Sequence, residues 1–147
     1  MKSMLLSLKS RKRATMSGST ILLVDDDPGV AQVLAWVLRE KGRHTVLQAH
    51  TAPDAIRMSR EHELDLLLVD VRLGLSSGKQ LASEVLEDHP HLPVLYMSGY
   101  PITYLAEKGI LHPGDALLYK PFSPDELLAQ TARALTKQSA FHAQGGS

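Results

Sequence analysis

The chain alternates between short apolar runs and longer segments in which apolar residues recur every three or four positions. Short apolar runs bounded by turn residues are typical of buried strands, and the wider spacing is typical of amphipathic helices. We therefore predict strands near 20–24, 45–49, 64–69, 93–97 and 115–119. Helices are predicted between and after them, near 28–41, from 52 onward, at 78–88, at 101–109 and from 124 onward.

Several predicted helices carry start signals. Asp27 and Ser123 each precede a proline, and Thr51 opens a Thr-Ala-Pro-Asp sequence. Hydroxyl and carboxylate side chains cap the free N–H groups of a first helical turn, and proline suits the first helical position. Trp36 in the first helix is expected at the surface or the rim. The apolar face of that helix is predicted to comprise Val30, Val33, Leu34, Val37 and Leu38.

Strands that alternate with helices predict an α/β fold, because right-handed crossovers place helices on both faces of a parallel sheet. The third strand, 64–69, is apolar almost throughout, as expected of a central strand that is covered on both faces. Its one charged residue, Asp65, is expected at the rim of the sheet.

The composition limits the domain count and the class of partner. With 147 residues, 44% of them hydrophobic, the chain is long enough for one domain with a core. Basic and acidic residues both number 16, so the net charge gives no general reason to expect nucleic acid or an acidic membrane as partner. Cysteine is absent, which excludes disulfides and fits a reducing compartment such as the cytoplasm. No apolar run approaches the ~18 residues that span a bilayer.

The two ends of the chain differ in composition from the middle. Residues 1–18 are basic and contain no acid. We expect either a disordered leader or a chain whose true translation start is Met16, downstream of the start given. An organelle transit peptide has a similar composition and stays open as an alternative. Residues 137–147 end in Gln-Gly-Gly-Ser and are expected to form a disordered tail. The folded domain is therefore placed at 19–136.

Polar side chains stand at the C-terminal ends of four predicted strands. Asp25 and Asp26 follow the first strand, Asp70 ends the third, Ser98 follows the fourth and Lys120 follows the fifth. These ends lie side by side in an open parallel sheet, and ligands bind in the crevice outside them. Acids, a hydroxyl and an ammonium together suit a divalent cation and a phosphoryl group.

Three carboxylates at one sheet edge repel one another unless a cation joins them. Mg²⁺ fits such a site because it prefers oxygen ligands, keeps several waters and accepts phosphate oxygens. A plainer interpretation is that Asp-rich turns cap helices, and that Ser98 and Lys120 are an ordinary turn residue and an ordinary surface residue. The histidines His62, His89 and His91 lie in polar, turn-like contexts without the spacing of zinc ligands.

The four strand-end motifs, in this order, resemble the receiver domain of two-component response regulators over about residues 20–136. The resemblance implies a flavodoxin-like, doubly wound five-stranded parallel sheet of order 2-1-3-4-5 with five helices. It implies that Asp70 accepts the phosphoryl group, that Ser98 and Lys120 contact its oxygens, and that the Lys120-Pro121 peptide is cis. The Mg²⁺ ligands that it implies are Asp25, Asp26, Asp70 and the backbone carbonyl of Arg72.

Other positions match or depart from the family pattern. Gly78 matches the family glycine that opens the third helix. Gly74 stands where the family usually has proline, so we expect a loop over 72–77 that is more mobile than usual. Leu117 stands where the family usually has an aromatic residue that switches between buried and exposed states. Tyr119 shares a strand face with Leu117, but a leucine side chain cannot alternate between buried and exposed states as an aromatic ring does.

The resemblance implies a stand-alone receiver in a phosphorelay, since the residues after the last helix are too few for an output domain. The expected partners are a histidine kinase or a histidine phosphotransfer protein, and a downstream protein that reads the altered surface or receives the phosphoryl group. The stretch Val94–Tyr100 resembles receivers of hybrid histidine kinases. Turnover beyond its own phosphorylation and dephosphorylation is not expected, and neither nucleic acid nor membrane is an expected partner of the domain.

Two alternatives stay open. An aspartate-nucleophile phosphatase of the haloacid-dehalogenase type would use Asp25 and Asp27, a loose Asp-x-Asp after a strand. However, Pro28 and Gly29 stand where that family usually has Thr or Val, and no room is left for a cap domain. The second alternative is a receiver-like module that binds partners without phosphorylation, and the intact acid set argues against it.

Overall fold

The computed structural model describes the backbone of residues 18–145 and the side chains of residues 18–136. Within these residues a five-stranded parallel sheet has the strand order β2-β1-β3-β4-β5. The predicted doubly wound order is therefore confirmed. The strands are β1 (Thr20–Val24), β2 (Thr45–Ala49), β3 (Leu66–Asp70), β4 (Val94–Ser98) and β5 (Ala116–Tyr119).

Helices connect the strands, and their starts follow the capping signals. Asp27 accepts hydrogen bonds from the N–H groups of Gly29 (3.0 Å) and Val30 (3.3 Å), while Thr51 and Ser123 cap their own helices in the same way. These contacts satisfy donors that a first helical turn otherwise leaves free. The five helices of the described part of the chain are α1 (Pro28–Glu40), α2 (Ala52–Glu61), α3 (Gly78–Asp88), α4 (Ile102–Glu107) and α5 (Pro124–Gly145).

Each face of the sheet is covered by its own apolar cluster. In β1, Ile21 and Leu23 pack with α1 and α5, whereas Leu22 and Val24 pack with α2, α3 and α4. This division follows the two-residue period of strand side chains. β3 is buried at every position, which confirms its predicted place at the centre of the sheet.

The prediction that Val30 and Val33 belong to the inner face of α1 is wrong. Val30 and Val33 are 38% and 62% exposed. Val33 stands one residue before Leu34, about 100° around the helix axis, and so lies outside the buried arc. Asp65 directly precedes β3 at the rim of the sheet, as expected, and is nevertheless buried, because its carboxylate accepts a hydrogen bond from the Thr20 N–H (2.8 Å) in place of water. The residues that α1 buries are Ala31, Leu34, Ala35, Val37 and Leu38.

A short antiparallel hairpin that we did not predict follows β3, with Arg72–Leu73 paired to Ser76–Ser77. We call it the 72–77 hairpin. At the other end of the chain, α5 extends past the domain end predicted near 136. The predicted leader falls almost wholly outside the described residues, as do the side chains of the predicted tail, so the domain boundaries stay predictions. No helix in the described part is long and apolar enough to span a membrane.

Candidate functional site

The C-terminal edge of the sheet brings together acids that are far apart in sequence. Asp70 of β3 pairs in register with Met97 of β4, and Asp25 directly follows β1, the neighbour of β3 on its other side. The Lys120 ammonium, delivered by the end of β5, contacts the Asp70 carboxylate and lies 4.0 Å from Oδ2 of Asp25. One cation is thus shared between carboxylates from two strands.

The Asp70 carboxylate is held in place through contacts to both of its oxygens. Oδ1 accepts a hydrogen bond from the Arg72 N–H (3.0 Å), and Oδ2 contacts Lys120. The start of α3 packs directly behind this residue, since the Gly78 N–H donates to the carbonyl of Val71 (2.8 Å). A Cβ atom at Gly78 would lie 2.0 Å from the carbonyl oxygen of Asp70, so glycine is required there by the close approach of the two backbones.

Asp25 is the most buried acid of the site, with only 2% of its surface exposed. Oδ1 accepts a hydrogen bond from the Asp27 N–H (2.9 Å), but the buried Oδ2 has no hydrogen-bond partner among the described residues. Burial raises the pKa of Asp25, and the Asp27 hydrogen bond and the Lys120 charge offset this only in part. A buried oxygen without a hydrogen bond is costly, and a bound cation would relieve that cost.

His50 lies at the site and was missed by the sequence analysis. Its Nδ1 lies 3.0 Å from the backbone carbonyl of Asp25, and the Asp25 N–H donates to the Ala49 carbonyl (3.2 Å). The carbonyl can only accept, so the contact is a hydrogen bond when Nδ1 carries the proton. A histidine after a strand carries no sequence signal for such a role, because the contact depends on how β2 lies against β1.

Asp26 is exposed and contacts the 72–77 hairpin. Its Oδ2 accepts a hydrogen bond from the Gly74 N–H (2.8 Å), and Gly74 has a φ of +59°. Leu73 is only 5% exposed and packs into the core. The structure shows a paired hairpin here, in which the glycine supplies a left-handed turn, and the higher mobility of this segment stays a prediction.

Ser98 and Lys120 are held together by their backbones. The Lys120 N–H donates to the Ser98 carbonyl (2.8 Å), and the Lys120-Pro121 peptide is cis, as the resemblance implies. The buried Ser98 Oγ accepts a hydrogen bond from the Tyr100 N–H (2.9 Å). Its hydroxyl hydrogen therefore stays available for donation to a ligand.

Leu117 is partly buried and pairs in register with Tyr96 of β4, with which it shares an apolar cluster. Tyr96 is buried, whereas Tyr119 is exposed. An aromatic ring therefore fills this part of the core from β4 rather than from β5. The contact is decided by strand register, which the family pattern of β5 alone does not show.

The donor set of the site suits Mg²⁺ better than zinc. Zinc sites have three or four protein ligands. Across the part of the chain that the structure describes, no group of three acidic or histidine side chains has a ligating arrangement. Mg²⁺ takes one or two carboxylates and keeps its waters, which suits an Asp25 Oδ2 that is buried without a hydrogen bond beside Asp70. Asp27, the second acid of the phosphatase alternative, caps α1 through its Oδ1.

Known proteins share the sequence pattern of this chain. The family model for the response regulator receiver domain matches residues 21–132. Response regulator Rre1 of Synechocystis sp. is 32% identical over 123 residues, which cover 82% of this chain and 53% of that protein. Transcriptional regulatory protein YvrH of Bacillus subtilis is 28% identical over 115 residues, which cover 78% of this chain and 48% of that protein. The chain thus spans about half the length of these curated relatives.

Solved structures share the fold. A CheY-like response regulator receiver domain protein from Methanospirillum hungatei JF-1 matches with a TM-score of 0.73 at 25% identity, over 84% of this chain and 98% of that chain. The receiver domain of NtrX from Brucella abortus matches with a TM-score of 0.70 at 30% identity, over 79% and 98%. Both matches cover nearly all of the solved domain. With the family model matched over most of its length and a doubly wound sheet of the same kind, this chain belongs to the response regulator receiver domain family of two-component signalling.

Proposed function

We propose that this receiver accepts a phosphoryl group on Asp70 in an Mg²⁺-dependent phosphorelay step and then signals through its altered surface. The observation that supports this most directly is the Lys120 ammonium, which contacts Asp70 and lies 4.0 Å from Asp25. A lysine shared by two carboxylates of neighbouring strands can follow the negative charge when one of them is modified. Phosphorylation is general to the family, and the proposal assigns it to this residue.

The transfer step needs little covalent chemistry from the protein. One carboxylate oxygen of Asp70 attacks the phosphorus of a phosphohistidine, forming an O–P bond as the P–N bond breaks. The leaving imidazole keeps the electron pair of that bond and takes up a proton. Lys120 then pairs with one phosphoryl oxygen, and the Ser98 hydroxyl donates a hydrogen bond to another.

Asp25, Asp26, Asp70 and the backbone carbonyl of Arg72 would hold the Mg²⁺ ion, directly or through the waters that Mg²⁺ keeps. When bound, the ion neutralises negative charge on the phosphoryl oxygens as they are transferred. The Oδ2 of Asp25, which is buried without a hydrogen bond, supports this assignment, because a bound cation would relieve the cost of burying it. The Arg72 N–H already donates to Asp70, which keeps this residue beside the site.

A protein donor must reach Asp70, and α1 offers a surface for it. The helix begins just after the acid pair and exposes Val33 and Trp36, the latter 56% exposed as predicted. Exposed apolar side chains beside a reactive group are typical of protein-binding surfaces. We therefore place a histidine kinase or histidine phosphotransfer protein on this face, and we place the reaction in the cytoplasm. The proposed output is contact with a downstream protein or onward transfer of the phosphoryl group.

Intact mass measurement tests the acceptor. With Mg²⁺ and a small phosphodonor such as acetyl phosphate, wild type should gain one phosphate and Asp70→Ala should gain none. Asp27→Asn is the matched control, because Asn caps a helix as well as Asp does and the variant should be labelled like wild type. Labelling of Asp70→Ala equal to that of wild type would refute the assignment.

The same experiment separates the two alternatives. Repeated release of phosphate from a phosphomonoester, without a stoichiometric protein adduct, would favour a phosphatase. If no phosphodonor forms an adduct, and if partner binding is the same with and without the phosphodonor, the result would favour a module that works without phosphorylation.

A further inference from the structure

The 72–77 hairpin joins two acids that come from different strands. At its base the Gly78 N–H donates to the Val71 carbonyl (2.8 Å), and on its side the Arg72 N–H donates to Asp70 (3.0 Å). At its tip the Gly74 N–H donates to Oδ2 of Asp26 (2.8 Å). The segment from 72 to 74 therefore bridges the loop after β3 and the loop after β1 through two backbone N–H groups.

The contact at the tip depends on two properties of the residue at position 74. The residue must have a backbone N–H, and it must adopt a φ of +59°. Space is not the constraint, because a Cβ atom there would lie 3.7 Å from Asp26 Oδ2, an ordinary contact distance. Receiver domains usually carry proline at this position. Proline has no N–H and fixes φ near −65°. A proline could not make this hydrogen bond.

From this geometry we infer that the Gly74 N–H is a positioning group for the divalent-cation site. By donating to Asp26, it holds the hairpin across the acid pair and keeps Arg72, the proposed carbonyl ligand, between Asp70 and Asp26. The buried side chain of Leu73 fixes the middle of the bridge. The inference rests on the proposed function, because it concerns the Mg²⁺ ligands assigned there.

The charge of Asp26 gives the hydrogen bond its strength. Lys120 contacts Asp70 and lies near Asp25, and Asp26 has no ion pair among the described residues. Its negative charge acts on Asp25, so without the Gly74 N–H the Asp26 carboxylate would turn away from Asp25 to reduce repulsion. A hydrogen bond to a charged group stabilises more than one between neutral groups. The amide therefore keeps Asp26 directed toward the site before any cation arrives.

Two variants at position 74 separate the N–H from the space around it. Gly74→Asn keeps the N–H and tolerates the left-handed conformation, whereas Gly74→Pro loses both. Mg²⁺ affinity, measured by titration calorimetry on the full chain, should fall about tenfold in Gly74→Pro, as expected for loss of a hydrogen bond to a carboxylate, and should stay near wild type in Gly74→Asn. Equal affinities in the two variants, or tighter binding by Gly74→Pro, would overturn the inference.

A measurement on metal-free protein makes the test independent of how well Gly74→Pro folds. In the amide spectrum of Asp26→Ala, the residue 74 proton should move upfield and exchange faster with solvent than in wild type, while the Arg72 proton should move little. An unchanged residue 74 proton would overturn the inference. If wild type itself binds no Mg²⁺, the proposed function fails and this inference fails with it. If wild type binds Mg²⁺ and the two position-74 variants have equal Mg²⁺ affinities, only this inference is refuted and the proposed function stands.

Discussion

Gly78 shows how a single residue fixes the position of the reactive group. The backbone of α3 begins against the carbonyl of Asp70, and no side chain fits between them. The carboxylate of Asp70 is oriented from the same segment, through the Arg72 N–H. Stability and placement of the acceptor therefore depend on the same close approach.

Gly78→Ala should destabilise the protein by more than about 2 kcal/mol, because the added Cβ meets backbone rather than a flexible side chain. Urea unfolding without Mg²⁺ measures the change. Gly114→Ala is the matched control, since a Cβ there meets nothing within 4 Å, and it should cost far less. Equal losses of unfolding free energy in the two variants would show that the backbones of Gly78 and Asp70 can move apart without cost.

At the scale of elements, α1 exposes more large apolar side chains than any other helix among residues 18–136. Its inner face packs on the sheet through Leu34 and Leu38, while Val33 and Trp36 face outward. The helix starts at the acid pair, so its outer face and the phosphorylation site are adjacent. We therefore expect this helix to affect transfer from a protein donor and to leave the chemistry of Asp70 unchanged.

Trp36→Ala should lower kcat/KM for phosphoryl transfer from a histidine kinase by about tenfold or more, as expected for loss of a buried interface tryptophan. The donor is a phosphorylated histidine-kinase domain that is active on wild type. Labelling by acetyl phosphate should not change, because no protein contact is involved. Ile110→Ala, which removes an exposed apolar side chain elsewhere, is the control and should behave like wild type in both assays. A slower reaction of Trp36→Ala with acetyl phosphate would contradict the docking role.

At the scale of the whole molecule, the two edges of the sheet have different ionisation behaviour. The C-terminal edge carries the acids of the candidate site, and the opposite edge carries His44, just before β2. The Nδ1 of His44 is buried without a hydrogen bond among the described residues, and burial lowers the pKa of His44. The folded state thus binds this proton less well than the unfolded chain does.

The stability that neutral His44 contributes should be fully present above the ordinary histidine pKa of about 6.5 and should be lost as the pH falls below it. His44→Phe, which keeps a ring and removes the titration, should therefore flatten the decline in unfolding free energy between about pH 7.5 and pH 5. Urea unfolding across this range measures it. His62→Phe replaces an exposed histidine and should leave the slope as in wild type. If unfolding free energy depends on pH in His44→Phe as it does in wild type, titration of His44 is not the cause of the decline at low pH.

The sequence by itself determined the fold class, the strand order through the family resemblance, the helix caps and the set of candidate site residues. It could do so because these depend on local patterns: apolar period, capping chemistry at Asp27, Thr51 and Ser123, and polar residues at strand ends. The acceptor candidate Asp70 was visible for the same reason, since it ends an apolar run.

Only the tertiary structure decided the contacts that depend on how separate segments meet. The His50 contact with Asp25, the Gly74 contact with Asp26 and the burial of Asp65 each join residues from different loops or strands. The sequence also did not show that residues 72–77 form a hairpin, whose left-handed turn at Gly74 is hydrogen-bonded to an acid that follows another strand. The physical reason is that such contacts follow from strand register and packing, which no local period of the sequence specifies.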